Sequence, residues 1–168
     1  MIPFPNFSPD IVTFSVGSFE VALRWYAVSY ILGFVCAAYL MKIATKRRHL
    51  WRLRTPPLDS DQIDSLITYL IVGVIVGGRL GYVLFYNFGF YVANPLDIIK
   101  IWEGGMSFHG GLLGVIITVI FFFKFHGIPV ISGADLIAFA TPPGLFFGRI
   151  ANFINAELWG YPTSSRWG

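Results

Sequence analysis

Arg149, Asn152, Asn155 and Glu157 crowd into Gly-Leu-Phe-Phe-Gly-Arg-Ile-Ala-Asn-Phe-Ile-Asn-Ala-Glu-Leu-Trp-Gly, residues 144–160, at the end of an apolar run. Charged groups at membrane depth are costly, so they mark either function or an internal ion pair. On a helix, Asn152 lies about 60° from Arg149 and Glu157 about 80° the other way, while Asn155 falls about 120° off. The helix is therefore expected to loosen before Asn155, with Gly160 and Pro162 marking an end nearby. A guanidinium beside side-chain amides and a loosened helix end has the donors to hold a phosphate through charge-assisted, bidentate bonds. The alternative is an Arg149–Glu157 pair that only locks the helix end.

Two further segments carry polar residues of interest. Trp-Glu-Gly-Gly-Met-Ser-Phe-His-Gly-Gly-Leu-Leu-Gly, 102–114, is dense in glycine on both sides of His109. Glycines such as Gly110 let a helix or a lipid headgroup approach the backbone, and an imidazole there has the right range for a general base. The competing reading is an interfacial histidine among packing glycines. Ser107 and His109, two residues apart, do not form a nucleophile–base pair by spacing. Val-Gly-Val-Ile-Val-Gly-Gly-Arg-Leu-Gly-Tyr, 72–82, has glycines at 73, 77 and 81 at helix-packing spacing, with Arg79 on another face. Arg79 reads equally as a second phosphate ligand or as the partner of Glu103 or Glu157. No His/Cys/Asp/Glu cluster has ligand spacing, so no metal is expected.

The elements that position these residues read as membrane helices. Of 168 residues, 55% are hydrophobic and only 12% charged, about half the charged fraction of a soluble domain. The fold class expected is all-α, a polytopic integral membrane protein in a single domain over 1–168. Four spans are expected, at about 19–41, 63–88, 107–125 and 134–154, each long enough for a hydrocarbon core that takes about 20 apolar residues. No strand-length alternation is read, which sets a barrel aside. The lone Cys36 reads as packing.

Six of the twelve basic residues, Lys42, Lys46, Arg47, Arg48, Arg52 and Arg54, follow the first span. Their clustering puts that loop in the cytoplasm and the N-terminus outside. No nucleic-acid role is expected for them. The 89–106 loop and the segment after Ile154 then face outward. In this topology Arg24, Tyr26, Arg79, His109 and Arg149 all fall toward the outer leaflet, which implies one outward-facing site.

Together these segments resemble prolipoprotein diacylglyceryl transferases. The resemblance rests on Arg24-Trp25-Tyr26, on Gly78-Arg79-Leu80-Gly81-Tyr82 and on Gly104-Gly105-Met106-Ser107-Phe108-His109-Gly110-Gly111. It rests above all on Gly148-Arg149-Ile150-Ala151-Asn152-Phe153-Ile154-Asn155-Ala156-Glu157-Leu158-Trp159-Gly160. It covers nearly the whole chain, in order.

The resemblance implies a multi-pass protein of the bacterial plasma (inner) membrane, with its active site facing the periplasm and outer leaflet. The family moves the diacylglyceryl group of phosphatidylglycerol onto the lipobox cysteine near the end of a prelipoprotein signal peptide. A thioether forms and glycerol 1-phosphate leaves, the first step of lipoprotein maturation. Membrane lipid and prelipoprotein are the implied partners, and no cofactor is implied. By the same resemblance Arg149 binds the phospholipid, Asn152, Glu157 and Gly160 belong to its site, and Tyr26 and His109 lie close to the chemistry. Arg79, Asn155 and Gly110 complete the candidate binding residues. The nucleophile is the substrate's thiol, so Cys36 is free to be inert. His109 is the best available base for that thiol, with Tyr26 left unranked against it as the activating group, and Arg149, with Arg79 as a second candidate, would stabilise the departing phosphate.

Two departures stand out. Ala151 and Ala156 replace glycines common in the family, and the sequence stops at Gly168 in mid-loop where the family continues to roughly seven spans. The missing part would supply further helices and another catalytic arginine, so the 168-residue chain is expected to be inactive alone. Two rivals remain: an anion transporter or lipid-binding protein, for which no convincing internal repeat is found, and an intramembrane serine protease using Ser107 or Ser132, which lacks a Gly-x-Ser-x-Gly element and a suitably spaced histidine.

Overall fold

A computed structural model describes residues 7–16, 19–51, 54–158, 161 and 164. Two strands open the chain, β1 (Asp10–Val16) and β2 (Phe19–Arg24), followed by the helices α1 (Trp25–Lys46), α2 (Ser60–Phe85), α3 (Phe88–Ala93), α4 (Phe108–His126), α5 (Val130–Ala140) and α6 (Pro142–Ile154). Four helical stretches are long and apolar enough to cross a membrane: α1, α2, α4, and α5 with α6 taken together. The described residues group into two compact units, Met1–Leu40 with Ala138–Gly168, and Met41–Ile137.

The first span is the one most displaced from expectation. Residues 19–24 are not helical; they pair antiparallel with β1, from Val16 opposite Phe19 to Asp10 opposite Arg24. The strand was legible after all: Val12, Phe14 and Val16 alternate with Thr13 and Ser15, and Gly17-Ser18 is a hairpin-type dipeptide. The last pair is also ionic, with Arg24 Nε 3.3 Å from Asp10 Oδ1. The helix that follows starts at Trp25 and runs to Lys46, later at both ends than 19–41.

In the Met41–Ile137 unit, α2 starts at Ser60 rather than 63 because Asp59 and Gln62 form a capping box. The Asp59 carboxylate accepts the Gln62 N–H at 2.8 Å and the Gln62 carbonyl accepts the Asp59 N–H at 3.0 Å. It ends at Phe85, and residues 88–93 form the separate short α3. Lys42 closes on Asp64 at 2.6 Å. Met41, Leu58, Ile63, Leu66, Phe123 and Leu136 are its fully buried side chains.

Glycines dictate how α2 meets α4. A Cβ placed on Gly77 would sit 2.8 Å from the Gly114 Cα, and one on Gly81 2.6 Å from the Gly110 Cα. The four-residue glycine spacing read from 73, 77 and 81 is thus a backbone-to-backbone seam, in which dispersion contacts replace the hydrophobic drive that lipid cannot supply. At its far end α4 stops on Gly127, whose φ of +64° is left-handed, while the Ile128 N–H returns to the Phe123 carbonyl at 2.9 Å.

The fourth span is not one uninterrupted helix from 134 to 154. It starts at Val130 and is broken at Thr141, because Pro142 and Pro143 lack the amide protons that would continue the ladder. In the other unit, α6 lies antiparallel to the N-terminal half of α1. A Cβ on Gly33 would meet the Gly144 Cα at 3.1 Å, while Tyr26 reaches Asn152.

Candidate functional site

The polar end of α6 is assembled from its own terminus and the start of α1. The helix stops at Ile154, with Asn155 as its cap at φ −79°, ψ 0°, so it loosens where the angular argument requires. Beyond it the chain turns sharply: Ala156 and Leu158 hold φ of +54° and +55°, left-handed values that cost a residue with a Cβ roughly 1–2 kcal/mol. The Asn155, Ala156 and Glu157 amides fold back onto the Ala151, Phe153 and Asn152 carbonyls at 3.0, 3.1 and 2.9 Å. That return swings Glu157 toward α1.

There the Tyr26 hydroxyl donates to Glu157 Oε2 at 2.7 Å and accepts from the Asn152 side-chain amide. Three of the expected site residues therefore form one polarised chain, Asn152 to Tyr26 to Glu157. Tyr26 and Asn152 are half-buried and Glu157 is exposed. Arg149, one turn before Asn152, is exposed and has no polar partner among the described residues. The alternative Arg149–Glu157 ion pair is not formed there; the carboxylate goes to Tyr26 instead. Asn155 Oδ1 is buried without a hydrogen-bond partner among the described residues. Gly160, with Trp159, lies outside the described residues.

In the Met41–Ile137 unit, Arg79 is 4% exposed and faces carbonyl oxygens. Its Nε donates to Ile98 at 2.8 Å, Nη1 to Gly104 at 2.5 Å and Gly105 at 3.2 Å, and Nη2 to Asp97 at 2.7 Å. The guanidinium carbon stands 5.1 Å from the Tyr91 ring centroid, a cation–π distance. Of the partners read from sequence, Glu103 contributes no bond to it. Asp97 has a second role, holding Lys100 at 2.6 Å; the bond and the negative charge raise the Lys100 ammonium above its usual pKa.

Ser107 is 5% exposed and caps α4, accepting the Gly110 N–H at 3.2 Å, which gives it a structural role in place of a nucleophilic one. Gly110 itself is buried in the seam with α2. His109, in the first turn of α4, is exposed, its ring edge-on to Phe108 with centroids 5.6 Å apart. Among the described residues no group of three or more His, Cys, Asp or Glu is placed to hold a metal. Sequence reasoning missed Tyr91 and the 97–105 carbonyls as partners of Arg79. The adjacent Gly104-Gly105 pair was the available signal, since both hold positive φ, +89° and +82°.

Residues 11–168 match the family model described as prolipoprotein diacylglyceryl transferase. Three relatives bear the name phosphatidylglycerol–prolipoprotein diacylglyceryl transferase. Those from Roseobacter denitrificans and Ruegeria pomeroyi are 54% and 51% identical over 99% of this chain, and one from Cereibacter sphaeroides is 52% identical over the same share. The chain spans 57% of the length of the first two and 82% of the third. With nearly every residue matched at about half identity, the chain belongs to the prolipoprotein diacylglyceryl transferase family.

Proposed function

We propose that this chain supplies part of the site that transfers the diacylglyceryl group of phosphatidylglycerol to the lipobox cysteine of prelipoproteins, releasing glycerol 1-phosphate. The relatives' names carry the two substrates, phosphatidylglycerol and prolipoprotein. The observation that supports the reading best is Arg149: a guanidinium without a polar partner among the described residues, one helical turn from the Asn152–Tyr26–Glu157 chain.

In the reaction, the thiol sulfur attacks the glyceryl carbon that bears the phosphate. The C–S bond forms as the C–O bond to phosphate breaks, and the electron pair leaves with the phosphate oxygen. The phosphodiester, with one negative charge, becomes a monoester that accumulates a second, and Arg149 is the cation to receive it. The thiol proton needs a base, and by the family resemblance that role falls to His109, whose exposed imidazole makes no hydrogen bond among the described residues. Tyr26 suits this step less well, because its hydroxyl proton is directed at Glu157. Tyr26 and Glu157 instead hold Asn152 at the mouth of the loosened helix end.

Both substrates are membrane-bound, which suits a site within a multi-pass helical protein of the plasma membrane. The basic residues between α1 and α2 support a cytoplasmic location for that connection by the positive-inside rule, and with it a site facing the periplasm. The test is a transfer assay in detergent with phosphatidylglycerol and a lipobox-cysteine peptide. It compares the 168-residue chain, a form extended to the relatives' full length, and the extended Arg149→Ala variant. Thioether product from the extended form alone is expected. Phospholipid binding without product in the extended form would replace this reading with a lipid-binding or transport role.

A further inference from the structure

We infer that Arg79 is a positioning residue whose buried guanidinium clamps the 97–105 segment onto α2 and thereby sets where α4, with His109 in its first turn, begins. The inference rests on the proposed transfer only for its consequence in catalysis; the clamp itself is geometric.

Four carbonyls from one loop, those of Asp97, Ile98, Gly104 and Gly105, converge on one side chain. Carbonyl oxygens only accept, so a planar fork of N–H donors gathers them where an ammonium could not meet them in one plane. The loop backbone is shaped to the fork. Gly104 and Gly105 both hold positive φ, and a Cβ on Gly105 would lie 2.6 Å from Tyr82 Cε1 and 2.8 Å from Arg79 Nη1. Tyr91 closes one face of the guanidinium.

The clamp continues directly into α4. Two residues past Gly105, the Ser107 N–H donates to the Gly78 carbonyl at 2.9 Å, the residue beside Arg79. The Ser107 side chain then caps α4 through the Gly110 N–H, and Gly110 is itself seated against Gly81. Positions 79, 78 and 81 of α2 thus hold the loop, the cap and the first turn of α4 respectively. A guanidinium so occupied is a fastening for the segment bearing His109, in contrast to a phosphate ligand.

The experiment uses the chain extended to its relatives' full length, with Arg79→Lys, which keeps the charge and loses the fork, and Gly105→Ala, which keeps the arginine and blocks its seat. Amide hydrogen exchange is measured in detergent over residues 97–111, beside transfer kinetics with varied phosphatidylglycerol. Both variants are expected to speed exchange at Ser107 and the first turn of α4 by about tenfold or more, as a local opening made easier. They should lower kcat with KM for phosphatidylglycerol within about twofold of the parent, the pattern of an effect outside ground-state binding. Exchange within about twofold of the parent in both variants would overturn the clamp. A raised KM with exchange unchanged would do the same and make Arg79 a headgroup ligand. Should the parent show no transfer, the exchange data still decide the clamp, while the functional reading alone fails.

Discussion

The Tyr26 hydroxyl donates to the Glu157 carboxylate at 2.7 Å, joining positions 131 residues apart. The bond ties the first turn of α1 to the chain just past α6, and its acceptor side takes the Asn152 amide. A double-mutant cycle of Tyr26→Phe and Glu157→Gln should give a coupling of about 1 kcal/mol in detergent unfolding, the ordinary net value for a hydrogen bond that solvent can reach. Additive effects would show that the two groups do not interact in solution.

Arg149→Ala should separate activity from folding. Because Arg149 makes no polar contact among the described residues, its removal should leave the unfolding midpoint within roughly 0.5 kcal/mol of the parent. Transfer by the full-length form should fall by about 100-fold or more, as when a preorganised group stabilising transition-state charge is deleted. Arg149→Lys should recover only part of that, since it keeps the charge and loses the fork. A large loss of stability in Arg149→Ala would point to the structural pairing instead.

Ala156→Gly should stabilise. At φ +54° the alanine bears a left-handed strain that glycine lacks, so the variant should gain up to about 1 kcal/mol after the entropy of a freer unfolded chain is subtracted. Thermal unfolding in detergent is the measurement; a loss of stability would mean that the turn is not left-handed there. The left-handed φ thus gives position 156 a backbone reason to favour glycine.

Gly81→Ala should open the α2–α4 seam. The added methyl meets backbone at 2.6 Å, which no rotamer change relieves, and overpacking of this kind costs about 1–3 kcal/mol. Loss of unfolding free energy in detergent is expected, together with faster exchange in α4. A neutral substitution would mean that the helices stand farther apart than described.

What was legible in the sequence follows from the range over which each residue acts. The glycine ridge at 73, 77 and 81 and the loosening before Asn155 follow from helical geometry, which a single segment contains. The partners of Tyr26 and Arg79 depend on how distant segments come together, so Glu157 was read against Arg149, and Arg79 against carboxylates. The N-terminal hairpin was missed for another reason: its β2 residues are apolar enough to pass for the start of a span, and only alternation in β1 distinguishes them. The break at Thr141 was written in Pro142-Pro143 but masked by the hydropathy on both sides.

The glycine seam also bears on the order in which the protein is made. The segments α2 and α4 are joined by the connection that holds α3 and carry their contact surface in their own backbones, so the seam needs nothing encoded after His126 to close. Both helices lie within residues 60–126, and chains assemble from the N-terminal side during synthesis. Helices emerging later from the ribosome would then follow a pair already closed. An alanine in the seam would register first as delayed assembly and clearance of the nascent chain, before any defect in mature protein could be measured.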